Sequence, residues 1–140
     1  MHTPRGMLCG MADYGISVTV PGAFADVVPA VKEALRAEGF GVLTEIDMQA
    51  TMKAKLDKDI EPYLILGACN PPLAFQALSA ETSIGLLLPC NVVIRAAGDH
   101  TVVEAIDPMT MVQFTGNAEL DAVADSATAK LTAALLSLQL

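Results

Sequence analysis

The chain has 140 residues, a net charge of −8, 53% hydrophobic residues, no tryptophan and three cysteines. That length suits one domain with a true core, and the apolar, charge-poor composition excludes an intrinsically disordered chain. The acidic balance excludes nucleic-acid binding through a general basic face. The longest apolar run, "SIGLLLPCNVVI", is broken by Pro89 and Asn91 and falls short of the roughly 20 residues of a membrane span. The N-terminal "MHTPRGMLCGMADYG" lacks the apolar stretch of a signal peptide, so a cytoplasmic protein with reduced thiols is expected. The apolar surplus suggests surface covered by a second copy, hence a homodimer.

Residues 1–13 read as a loose tail and 14–140 as a single α+β domain. "GISVTV" (15–20) alternates and is β-branched, which predicts a strand. From Ala23 to Glu38 apolar residues follow helical spacing, with Gly39 as a stop and Pro29 as an expected kink or second start. "FGVLTEID" (40–47) predicts a second strand. "MQATMKAKLD" (48–57) predicts a short helix with Met48, Met52 and Leu56 on one side. Lys53, Lys55 and Lys58 hold three of the chain's eight positive charges. A small anion site is one reading of them; interleaved Asp57 and Asp59 favour a solvated helix edge.

"YLILGAC" (63–69) is apolar on both faces, which predicts an interior strand. Asn70 is a good N-cap and Pro71 suits the first helical position, so a helix over 71–81 follows. "GLLLPCNVVIRAA" (85–97) predicts a fourth strand interrupted by Pro89. "GD" at 98–99 predicts a type I′ hairpin turn into "HTVVEAI" (100–106), the fifth strand. "MTMVQF" stays ambiguous. The final helix carries an apolar stripe that includes Leu120, Val123, Ala127, Leu131 and Leu135, with Asn117 as its expected cap. The sum is a two-layer α+β fold: a mostly antiparallel sheet of about five strands with helices packed on one face.

The hairpin sets a register in which opposed residue numbers sum to a constant. Val92 then faces Ala105, Ile94 faces Val103 and Ala96 faces Thr101 on an apolar side. Arg95 and Glu104 share the other side, where a cross-strand ion pair is expected. Extending that register brings Cys90 opposite Asp107, with Asn91 beside it and a one-residue slip allowed for a bulge at Pro89. Cys69 ends a strand just before a helix N-cap, where the dipole favours negative charge, including a thiolate. If the third and fourth strands are neighbours, Cys69, Asn70, Cys90, Asn91 and Asp107 converge on one candidate ligand-binding site.

Three chemistries fit these residue types. Amide and carboxylate groups among apolar walls suit a small-molecule ligand. The thiols suit a redox or nucleophilic role, although no histidine can be placed beside them as a base. Two cysteines with Asp107 are an incomplete metal set, so metal binding requires ligands shared across a dimer. His100 lies at the hairpin tip, roughly 30 Å along the strand from Asn91. Each residue also has a bland explanation: buried cysteines, Asn70 as a cap, Asn91 at a bulge and Asp107 before Pro108 as a turn. No enzyme class, catalytic residue or cofactor is assigned.

"YLILGACNPPLAFQAL" followed by "IGLLLPCNVVI" and a hairpin ending in "DP" resembles the domain of unknown function 302 family, in the branch with GACNP and LPCN motifs. The resemblance is strong over 63–108 and ordered over 15–60, where "LRAEGFGVLTEIDMQATMKAKL" is also typical. The final helix matches in position and character. The resemblance implies a two-layer α+β fold similar to that of the TATA-box-binding protein, often as a dimer. It implies no activity, and a fold shared with a DNA binder does not transfer that function. The expectation is a cytoplasmic, homodimeric binding or regulatory module with a small-molecule ligand and neither nucleic acid nor membrane as partner.

Overall fold

The computed structural model describes residues 13–139. The expected tail, with His2 and Cys9, lies outside these residues except for Asp13. In chain order the elements are β1 (Gly15–Pro21), α1 (Phe24–Ala37), β2 (Gly41–Asp47), α2 (Met48–Leu56), β3 (Tyr63–Cys69), α3 (Pro71–Ala80), β4 (Cys90–Ala97), β5 (His100–Ile106), α4 (Met109–Thr115) and α5 (Asp121–Ser137). Short 3-10 turns at Thr82–Leu87 and Ala118–Leu120 lead into β4 and α5.

Five strands form one sheet in the order β1-β5-β4-β3-β2, every pair antiparallel. The α+β expectation is met: alternation along each strand puts one apolar face against the helices. Val18, Leu66, Val92, Ile94 and Val103 of that face pack with Val31 and Leu35 of α1 and Leu131 and Leu135 of α5. A second apolar cluster joins Ala77, Ile84, Met111, Leu120, Val123 and Ala124. The β4–β5 register matches expectation, from Val92 opposite Ala105 to Ala97 opposite His100. The Arg95–Glu104 pair forms across it at 3.1 Å, and Glu104 also accepts from the Ser17 hydroxyl at 3.3 Å.

Several local expectations change. α1 runs unbroken through Pro29. Pro29 and Ala25 both lie on the exposed side, where water can serve the carbonyl that Pro29 leaves without a donor. Only Gly98 of the two hairpin residues takes positive φ, at 67°, so the turn has the signs of type II′ rather than I′. The fourth strand does not begin at residue 85. Thr82–Leu87 is a 3-10 turn, the Leu88–Pro89 bond is cis, and pairing begins at Cys90, the first residue after the proline. Proline has no N–H to give a ladder. "MTMVQF" is helical, as α4. Asn117 caps the 3-10 turn through Glu119 N, one step before the α-helix it was expected to cap. The side of α2 that carries Met48, Met52 and Leu56 has no buried residue. Lys53 on α2 pairs with Asp57 and Asp59, as a solvated edge should.

Candidate functional site

β3 and β4 are neighbours, and Ala68 of β3 pairs with Cys90 of β4. Cys69 is therefore one residue diagonal from Cys90, where β3 ends and β4 starts. Cys69, Asn70 and Cys90 line one cavity of about 310 Å³. Phe40 and Ala68 come to its wall from the sheet cluster, and Ala77, Met111 and Val123 from the second cluster, so the cavity lies between the two apolar groups. Leu43 and Leu78 also line it and are themselves exposed, which places them at its mouth.

Strand alternation turns Cys90 inward toward the helices. Burial, with a smaller contribution from the neighbouring Cys69, pushes the Cys90 thiol up to about 11. Cys90 is thus a neutral, apolar wall group at physiological pH. Cys69 is half-buried, and both thiols are free. Asn70 is buried with its polar atoms already engaged. Its Oδ1 accepts from Leu73 N at 3.3 Å as the cap of α3, and its Nδ2 donates to the Glu38 carbonyl at 3.5 Å. Pro71 takes the first helical position, as expected.

The five expected residues do not form one cluster. The same alternation that buries Cys90 sends Asn91 to the opposite sheet face, where it is exposed. There Asn91 lines a separate groove of about 270 Å³ with Leu86, Pro89, Ile106 and Phe114. The β4–β5 ladder ends at Val92 and Ala105, short of the expected Cys90–Asp107 pair, while on its other side Cys90 pairs with Ala68 of β3. Asp107 is buried; its N–H donates to the Tyr14 carbonyl at 2.8 Å and its carboxylate accepts from Met109 N at 3.0 Å. Its carboxylate thus holds the first residue of α4, the helix that carries Met111 to the cavity wall.

Sequence reasoning missed Phe40, Ala74, Met111 and Ala127 as cavity residues. Ala74 and Ala77 did carry a signal, small residues three apart on one helix face, which leaves room beside a helix. Met111 lay in the segment whose structure was ambiguous. No group of three or more His, Cys, Asp or Glu among the described residues could hold a metal ion. No helix among them is long and apolar enough to cross a membrane.

The family model for Domain of unknown function DUF302 matches residues 16–138, which takes in all five helices and all of the sheet except Gly15. The chain belongs to the DUF302 family. The crystal structure of an uncharacterized conserved DUF302 protein from Bacillus stearothermophilus is similar to it, with a TM-score of 0.85 and 26% sequence identity. The match covers 91% of this DUF302 chain and 100% of the Bacillus one. No curated protein matches this DUF302 chain. The family resemblance read from the two Cys-Asn stretches therefore holds, and the cavity beside them is the feature of this DUF302 domain with the most distinctive chemistry.

Proposed function

We propose that this protein is a binding module that holds a small, largely apolar molecule in the cavity where β3, β4 and α3 meet. One observation carries the reading: the two thiols Cys69 and Cys90 line a single cavity of about 310 Å³ whose other walls are almost all apolar. That volume is at the lower end of the roughly 300–1,000 Å³ of small-molecule sites. Among the described residues Asn70 is the one polar side chain on the wall apart from the thiols, and its bonds to Leu73 and Glu38 use its oxygen and its amide nitrogen. An uncharged ligand with few hydrogen-bonding groups is the better match, because a charged one would be desolvated without compensation.

Titration with aminoanthracene, a neutral fluorophore that brightens in apolar surroundings, tests this. Saturable binding is expected for the wild type and its loss for Ala74→Phe. Ala74 is a half-buried wall residue, so the added ring fills the cavity from a helix surface. Circular dichroism checks that the variant folds. Absence of saturable binding, or unchanged binding in folded Ala74→Phe, overturns the reading.

The half-buried Cys69 on the same wall favours a second reading, thiol-dependent chemistry on the bound molecule. It requires Cys69 to be alkylated in the folded protein, and an inert Cys69 removes it. The binding module is read as a homodimer, supported by Leu86 and Phe114, which stand exposed along the groove beside Asn91. Sedimentation that gives a monomer overturns that part alone.

A further inference from the structure

We propose that Cys69 and Cys90 are an oxidative modification site: they join in a reversible disulfide that narrows the cavity and weakens ligand binding. The effect on binding rests on the cavity being a ligand site, whereas the disulfide itself does not.

The geometry starts from the ladder. Cys90 pairs with Ala68, so Cys69 is offset from Cys90 by one residue on the adjacent strand. Strands about 4.8 Å apart with a rise of about 3.4 Å per residue put such Cα atoms about 6 Å apart. Disulfides span Cα separations of about 4.4–6.8 Å, so the backbone already has the required spacing. Within a regular strand, diagonal neighbours would point to opposite faces. Cys69 still pairs with Gly41 as the last residue of β3, and the chain turns there into the Asn70 cap of α3. Both cysteines line the same cavity, as free thiols, and Cys69 is near enough to act on the Cys90 thiol.

Their exposures assign the order of events. Cys69 is half-buried on the cavity wall and can be reached by a small oxidant, while Cys90 is buried. Hydrogen peroxide is the oxidant. The Cys69 sulfur bonds to one peroxide oxygen, the O–O bond breaks, and water leaves with the Cys69 proton, giving a sulfenic acid. The Cys90 sulfur then attacks the Cys69 sulfur. The S–O bond breaks, Cys90 releases its proton, and a second water departs. Two electrons pass from the sulfur pair to the peroxide. A small thiol returns them through a mixed disulfide. The new bond, about 2.05 Å long, ties the two wall residues together and fixes a rigid sulfur bridge along the cavity that both line.

The test uses the full chain carrying Cys9→Ser, so that only this pair can react. Hydrogen peroxide is added, and intact mass, peptide mapping and aminoanthracene titration are read before and after. Expected are the loss of two hydrogens, a Cys69–Cys90 linked peptide and about tenfold weaker probe binding, all restored by dithiothreitol. Cys69→Ser and Cys90→Ser, each in the Cys9→Ser chain, should leave probe binding insensitive to peroxide. Oxidation of Cys69 to sulfinic acid with Cys90 still free overturns the proposal. A linkage that leaves probe affinity unchanged overturns the control of binding. If the linkage forms but no state of the protein binds the probe, the disulfide stands and the ligand reading fails. Probe binding with no linkage sinks this inference and leaves the ligand reading intact.

Discussion

Pro89 occupies the space that any side chain at Gly67 would need. A Cβ at Gly67 would stand 2.8 Å from Pro89 Cγ and would collide outright with Thr44 Oγ1. The strand-start proline is thus seated on a strand glycine, on the side away from the helices. Pro89 also lines both the cavity and the groove beside Asn91. Gly67→Ala should therefore destabilise the fold by about 1–3 kcal/mol through overpacking, measured as a lower urea midpoint. It should also weaken aminoanthracene binding, because Pro89 must move. An unchanged midpoint would mean that this contact is not a constraint.

Cys90 should make stability depend on pH in the alkaline range. Burial first, then Cys69, raises its folded value from an ordinary 9.0 to about 11. Between those values the unfolded chain has lost the proton and the folded one keeps it, so stability falls as pH rises. The contribution is fully present below about 9 and gone above about 11, with a total of order 2–3 kcal/mol. Urea unfolding across that window should show the slope in the wild type and a shallower one in Cys90→Ala. Equal slopes in both proteins would refute the assignment to Cys90.

Asn70 ties α3 to the end of α1 through Leu73 N and the Glu38 carbonyl. Asn70→Ala loses both bonds and should cost about 1–2 kcal/mol. Asn70→Asp keeps the cap acceptor but has no donor for Glu38, so its loss should be smaller. Thermal unfolding of the two variants gives the order, and an Asp variant as unstable as Ala would show that the Glu38 bond dominates.

Arg95 and Glu104 have side chains only 30% and 20% exposed, which limits screening of their pair. A double-mutant cycle with Arg95→Ala and Glu104→Ala should give a coupling of about 1 kcal/mol, above the usual value for exposed pairs. A coupling near zero would mark the pair as positional rather than stabilising.

The hairpin was legible because two adjacent strands and a Gly-Asp turn fix their own register. The same arithmetic, carried past Val92, failed to reach Asp107, since the β4–β5 ladder ends at Val92 and Ala105 while β4 stays paired with β3 on its other side as far as Cys90. Asn70 was legible as a cap because capping needs only the residues that follow it. Its bond to Glu38 joins residues 32 apart and had no local sign. Asn117 likewise donates to the Ala80 carbonyl and to Glu81, which clamps the end of α3 to the start of α5.

Local chemistry in the sequence determined the five strands, the capped helix after Cys69, the inward face of the β4–β5 hairpin and the family. Each of these depends on side-chain alternation or on neighbours a few residues away. Tertiary structure alone decided that the two Cys-Asn stretches meet through their cysteines and part at Asn91. Pairing of β3 with β4 brings the strand ends together, and alternation then sends adjacent residues to opposite faces. The cavity is likewise a tertiary product, since its walls come from two apolar clusters that no single segment contains.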